Sequence, residues 1–285
     1  GVLSVDDISD YSKFVDDICE CCEANAIALE AISSESGMSQ FEINLKHTED
    51  VLKLADGLVF LKNIIRLISR KNGFAATFMA KPFAFRPGNG IHAHFSLLNE
   101  NKRNVFDNGT ETGSDNMLSS VGGLLAHMRQ SALIFAPHLN SFRRLSPKQH
   151  APLNFTWGYE NRTAAIRIPG GKYSSRRIEH RVAGADTNIY LVLAAILGAA
   201  LDGLQHGTRP PQPVLGDCSY SDIGQEDALP ATWFEAISSF EQGDLIGGAL
   251  NSVIRDMLIR TKRQELLTFA HDVSSFEYET YLETV

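Results

Sequence analysis

The sequence predicts an α+β fold carried by one mixed domain spanning residues 1–285, and three observations support this. Two short alternating segments lie between residues 27 and 45, and more alternating segments lie in the middle of the chain. Stretches with helical period run throughout, without the regular strand–helix alternation of a doubly wound sheet.

Taken in order, residues 6–25 have the pattern of an amphipathic helix, with Phe14, Val15, Ile18 and Cys22 at helical spacing. Most of the crowded cysteines are therefore expected in the core. IALEAISSESGMSQFEINL, from Ile27 to Leu45, predicts two strands joined by a Ser/Gly-rich turn. Residues 50–71 form a second helix, directing Leu52, Leu54, Leu58, Leu61, Ile64, Ile65 and Leu67 to a core. Residues 76–81 and 90–98 are expected as strands around RPGNG. In the latter, His92, His94 and Ser96 share one face, and Ile91, Ala93, Phe95 and Leu97 share the other. Residues 116–138 are helical by pattern. AAIRIP and RRIEHR predict two further strands. Asp186 or Thr187 can cap the next helix, YLVLAAILGAALDGL, which is apolar on almost every side and expected to be buried. Its apolar run, Tyr190 to Leu201, is too short to span a bilayer. Residues 209–230 predict a surface loop, and two amphipathic helices close the chain.

Composition narrows the function classes. A net charge of −8 and a pI near 5.6 disfavour non-specific binding to nucleic acid or anionic membranes. Cys19, Cys21 and Cys22 crowd together and Cys218 stands alone, which gives neither a disulfide framework nor a paired zinc spacing. Reduced thiols in a cytoplasmic protein follow.

Against this acidic background, the stretch from Asn140 to Arg181 is dense in arginine. In RRIEHR, alternation puts Arg177, Glu179 and Arg181 on one face and Arg176, Ile178 and His180 on the other. Guanidinium forks bind phosphate and carboxylate in paired hydrogen bonds, so such a row suggests a phosphorylated ligand and a metal. A salt-bridged outer face of a sheet is the alternative. Glu35 and Glu42 beside the early turn, with His92 and His94, add the oxygen and imidazole donors that suit Mg²⁺ or Mn²⁺. GGKYS is no phosphate-binding P-loop, because Tyr173 follows Lys172 and the upstream glycine is missing.

HAHFSL, NSFRRLSP, ENRTAAIRIP, and RRIEHR followed by TNIYLVLAAILGAALDGL together resemble the catalytic domain of glutamine synthetases and γ-glutamylamine ligases, from about residue 10 onward. The resemblance implies a curved, mostly antiparallel sheet backed by helices, as in guanido kinases. It also implies ATP and Mg²⁺ or Mn²⁺ as cofactors, glutamate with ammonia or a primary amine as substrates, and a homo-oligomer of stacked rings. By motif, Glu35 and Glu42 resemble ligands of a first metal, and His92 and Glu179 ligands of a second. Arg144 and Arg181 resemble the arginines that hold glutamate. Arg162 and Arg167 resemble those facing the γ-phosphate, Arg177 lies near the nucleotide phosphates, and His94 and Ser96 stand at the ATP contacts.

Four departures accompany the resemblance. The family's two further metal-binding glutamates and its small amino-terminal β-grasp domain have no counterpart in these residues, so the isolated chain is expected to be inactive or nearly so. His150, in KQHAP, replaces the flap glutamate that helps bind ammonium. A histidine can act as a general base near neutral pH but offers no negative charge, which points to an acceptor other than ammonia. Pro87-Gly88-Asn89-Gly90 replaces an Asn-Gly-Ser-Gly turn, and Gly37-Met38-Ser39-Gln40 lacks the usual Pro-Gly. Glutamine synthetase proper, a γ-glutamylpolyamine or other amine ligase, and a non-catalytic relative all remain open; a guanidino kinase is disfavoured by the motifs. Tyr220 lies where some bacterial members are adenylylated, but one tyrosine in a polar loop carries no such assignment.

Overall fold

The structure, a computed structural model, describes residues 4, 8–146, 151–218, 228–244 and 248–285. His150, Tyr220 and part of the 209–230 loop lie outside the described residues.

Helix α1 (Ser12–Ala24) buries Phe14, Ile18 and Cys22, one residue per turn on a single face. Helix α2 (Val51–Lys71) is capped by Asp50, whose side chain accepts from the Lys53 amide at 2.9 Å. Its buried residues Leu61, Ile64, Ile65 and Ile68 follow i, i+3, i+4, i+7 and meet those of α1 in one core cluster. Leu52 and Leu67, expected in that core, are exposed because they fall outside this stripe. Cys19 is likewise exposed; only Cys22 of the crowded three is fully buried.

Strands β1 (Leu29–Ser34) and β2 (Phe41–Leu45) form an antiparallel hairpin that pairs Ser33 with Glu42. The second sheet has the order β3-β6-β5-β4, built from β3 (Ala93–Phe95), β4 (Trp157–Tyr159), β5 (Ile166–Ile168) and β6 (Ile178–His180). β6 pairs antiparallel with both neighbours, and only β4–β5 is parallel. All three β6 residues are buried, so this strand carries the charged row into the interior.

Residues 76–81 do not form the expected strand. The amides of Ala76, Met79 and Lys81 donate to Ser69 Oγ, Thr77 Oγ1 and Asn140 Oδ1, so side chains take the place of a neighbouring ladder. The helix expected over 116–138 is two, α3 (Asp115–Ala126) and α4 (Met128–Phe135), which divide at His127. A short α5 (Leu139–Arg144) follows.

The cap of α6 (Ile189–His206) is Asn188, not Asp186 or Thr187: its side chain accepts from the amides of Tyr190 and Leu191. Asp186 is already engaged by the Ser141 hydroxyl at 2.7 Å, and Thr187 Oγ1 donates to the Gly184 carbonyl. By length and composition α6 could cross a membrane, yet it lies in the core here, with Val192, Ala195, Ile196 and Ala199 buried and Leu201 exposed. It approaches α3 so closely that a Cβ on Gly123 would stand 2.2 Å from the Ala199 carbonyl oxygen. Three closing helices are described, α7 (Trp233–Gln242), α8 (Ser252–His271) and α9 (Ser275–Tyr281), where two were expected.

Candidate active site

The site is built across β3, β6 and β5. Cross-strand pairing sets His94 opposite Glu179, and Glu179 opposite Arg167. Along residues 91–98 burial alternates as the sequence predicts, with Ile91, Ala93, Phe95 and Leu97 more buried than His92, His94 and Ser96.

Glu179 is the hub. It is 2% exposed, and its two oxygens take different cations: Oε1 meets Arg181 Nη1 at 2.5 Å, and Oε2 meets Arg167 Nη1 at 2.9 Å. His92 Nδ1 stands 3.4 Å and His94 Nε2 3.9 Å from Oε1. Burial pushes the Glu179 carboxyl upward, but Arg181, the two histidines and Arg167 outweigh it and hold its pKa below the ordinary value. The row is therefore an internal charge cluster and not a solvated outer face.

The histidines respond in the opposite sense. The His92 ring is 36% exposed, but its Nδ1 faces buried Glu179; desolvation, reinforced by Arg181, pushes its pKa to about 3. Burial also lowers the pKa of His94, against the pull of Glu179, and its Nδ1 accepts from Arg177 Nε at 3.3 Å. Both rings are therefore neutral near pH 7 and have lone pairs to offer. Arg167 is lowered by burial, yet Glu160 and Glu179 raise it further and keep it above its ordinary value.

Arg144 is buried beside this cluster, and its Nη1 donates to the Val182 carbonyl at 2.8 Å. Burial pulls its pKa to about 10. Its path runs past Gly88 and Gly90, where an added Cβ would come within 3.0 Å and 2.5 Å of the arginine. These glycines make room for a guanidinium and stand at the same two places as in the Asn-Gly-Ser-Gly turn, so the departure is confined to Pro87 and Asn89.

The other expected residues make no described hydrogen bond or ion pair with Glu179. Glu35 accepts from the Ser36 amide at 2.9 Å and Glu42 from Asn44 Nδ2 at 2.9 Å, both within the hairpin. Arg162 is exposed in the turn after β4, and Ser96 is exposed past the end of β3. Among the described residues no group of three or more His, Cys, Asp or Glu gathers closely enough to hold an ion. His92 and Glu179 supply two donors of suitable chemistry, and Mg²⁺ commonly takes only one or two protein carboxylates and completes its shell with phosphate oxygens and water.

Sequence reasoning missed Gln40 and Glu160. Gln40 Nε2 donates to the Gly88 carbonyl at 3.0 Å and to Asn89 Oδ1 at 2.7 Å, tying the hairpin to the loop that leads into β3. Glu160 binds Arg167 Nη2 at 3.0 Å and lines a cleft of about 740 Å³ with Tyr159, Tyr173 and Arg176. The only sequence signal for either was position beside a turn.

Comparison with known proteins identifies the family. Residues 1–281 match the family described as glutamine synthetase, catalytic domain. The chain is 34% identical over 283 residues to gamma-glutamylputrescine synthetase PuuA of Escherichia coli K12, covering 99% of this chain and 59% of that protein. It is 34% identical over 287 residues to glutamine synthetase of Pyrococcus abyssi, covering 99% and 61%. It is 35% identical over 264 residues to glutamate–isopropylamine ligase of a Pseudomonas species, covering 91% and 57%. A solved structure titled apo GmaS without ligand superposes with a TM-score of 0.90 at 29% identity, covering 99% of this chain and 65% of that one. The chain thus spans about three fifths of the length of these curated relatives. With the match extending over nearly all its residues and the same mixed fold, the chain belongs to the glutamine synthetase catalytic-domain family.

Proposed function

We propose that the protein containing this chain is an ATP-dependent glutamate–amine ligase that uses Mg²⁺ or Mn²⁺ in the cytoplasm. The observation that carries this reading is the Glu179 cluster: one buried carboxylate between two arginines, flanked by two neutral imidazoles. Such a site, preorganised in a low dielectric, suits the meeting of two anions. Relatives named for putrescine and isopropylamine ligation support the class, and a GmaS neighbour solved as an ADP complex supports the nucleotide.

In this reading Arg144 and Arg181 hold the carboxylates of glutamate. A side-chain carboxylate oxygen of glutamate attacks the γ-phosphorus of ATP; the bond to the β–γ bridging oxygen breaks, and ADP leaves. Arg162 and Arg167 steady the charge on the transferring phosphoryl group, while Arg177, His94 and Ser96 hold the nucleotide. A divalent ion bound by His92 and Glu179 would supply further positive charge to the phosphates. The amine nitrogen then attacks the acyl carbon of γ-glutamyl phosphate, expelling phosphate and giving up a proton. His150 is the residue we assign as the base.

A histidine in place of a carboxylate at position 150 favours a primary amine over ammonium as acceptor. The test is phosphate release from ATP, Mg²⁺ and glutamate by the protein containing this chain, with ammonium, putrescine, ethanolamine or methylamine as acceptor. Turnover that requires glutamate and prefers an amine is expected. Strict preference for ammonium would overturn the reading of His150, and release without glutamate would overturn the ligase.

A further inference from the structure

Glu160 sits in the turn between β4 and β5, outside every role assigned above. Its backbone is left-handed, with φ of 53°, a conformation a residue with a side chain adopts only when its surroundings impose it. Its amide donates to the Ile168 carbonyl at 3.0 Å, extending the β4–β5 pairing by one bond. The carboxylate then divides its two oxygens: Oε1 accepts from the Gly170 amide, and Oε2 meets Arg167 Nη2 at 3.0 Å. A Cβ on Gly170 would stand 3.0 Å from Oε1, so this glycine lets the carboxylate lie against the amide.

The consequence falls on Arg167. Its Nη1 is held by buried Glu179 at 2.9 Å, and Glu179 is shared with Arg181. Any cation that takes the Glu179 oxygens competes with Arg167. Glu160 pairs with no other cation among the described ion pairs, is 58% exposed, and meets the guanidinium at the other terminal nitrogen. Its hold on Nη2 does not use the Glu179 oxygens, so it is independent of what else those oxygens bind.

We propose that Glu160 is a positioning residue that fixes the plane of the Arg167 guanidinium, so that the arginine neither collapses onto Glu179 nor swings into solvent when a ligand enters the site. This rests on the ligase reading for what Arg167 faces, but the clamp itself does not. A purely structural role, closing the turn through the Gly170 amide, is the competing account.

Glu160→Gln separates the two, because the amide oxygen can still accept from Gly170 while the charge toward Arg167 is gone. Glu160→Gly removes both bonds but relieves the left-handed strain, so it guards against loss of fold. In protein labelled with ¹⁵N and ¹³C arginine, the Arg167 guanidinium signals are identified by their loss in Arg167→Lys. Wild type is expected to show resolved Nη signals from restricted rotation, and Glu160→Gln averaged ones. Unchanged Arg167 signals in Glu160→Gln would overturn the clamp. In turnover, Glu160→Gln is expected to lose roughly tenfold or more in kcat, with KM for ATP and glutamate within about threefold, as for a displaced transition-state group. Glu160→Asp, which keeps the charge at shorter reach, is expected to recover part of the loss. Full kcat in Glu160→Gln would contradict the proposal. A wild type without glutamate-dependent phosphate release would contradict the ligase reading, and the Arg167 signals would still decide the clamp.

Discussion

Gln40 and Asn89 join two separate sheets: the Gln40 amide at the end of the early turn donates to Asn89 Oδ1 at 2.7 Å, 49 positions along the chain. The same amide group donates to the Gly88 carbonyl, and its oxygen accepts from the Gly37 amide at 2.9 Å. One side chain thus closes the turn and fixes the hairpin bearing Glu35 and Glu42 against the loop that leads to His92. We expect Gln40→Ala to destabilise the fold by about 1–2 kcal/mol, the typical cost of hydrogen bonds lost without replacement. Amide exchange of residues 35–42 should accelerate more than that of β6, which hydrogen-exchange measurements would resolve.

Removing Glu179 should be among the most damaging single changes. Arg181 and Arg167 would lose a shared buried partner, and breaking a buried pair typically costs about 3–5 kcal/mol. Urea denaturation of Glu179→Ala should show this loss, and a fall below 1 kcal/mol would contradict the buried-hub description. Because the carboxyl is held below its ordinary value, its contribution is complete above about pH 4.5 and is lost as pH falls through the lowered folded value.

His180 is fully buried against Phe135, with ring centroids 4.4 Å apart and both ring nitrogens unpartnered. Burial pushes its pKa to about 3, so between pH 6.5 and 3 the unfolded chain takes up a proton that the folded chain refuses. Stability therefore falls with decreasing pH by about 1.4 kcal/mol per unit from this group. His180→Phe should remove that slope and raise stability near pH 7, measured by thermal melts across the range.

Gly203 and Gly123 let α6 and α3 touch along their backbones: a Cβ on Gly203 would meet the Ser119 carbonyl oxygen at 2.2 Å. Backbone cannot step aside as a flexible side chain can. Gly203→Ala should cost about 1–3 kcal/mol, the usual range for overpacking, and calorimetry would read it as a lower melting temperature.

The parts legible in the sequence are those fixed by local period. Alternation assigned His92 and His94 to one face and Arg177, Glu179 and Arg181 to another, because a strand's faces follow from covalent geometry alone. The stripe of α2 was legible for the same reason, although Leu52 and Leu67 show that a leucine outside the stripe stays exposed. Distant partners were not legible. Residues 76–81 alternate as a strand would, but Asn140 captures the Lys81 amide; Asp186 could have capped α6, but Ser141 holds it. Within the site, the row on β6 could be read from spacing, whereas the roles of its members came from resemblance to a family. Glu160 escaped notice because a left-handed turn residue leaves no periodic mark.

The most direct test of the central claim is to trap the acyl phosphate. The protein containing this chain is incubated with ATP, Mg²⁺, glutamate and hydroxylamine, and γ-glutamyl hydroxamate is measured against ADP. Formation of hydroxamate that requires both ATP and glutamate, and that drops when Arg167 is replaced by Ala, is the predicted result. ADP release without hydroxamate, or hydroxamate formed equally well without ATP, would contradict a ligase that activates glutamate at the Glu179 cluster.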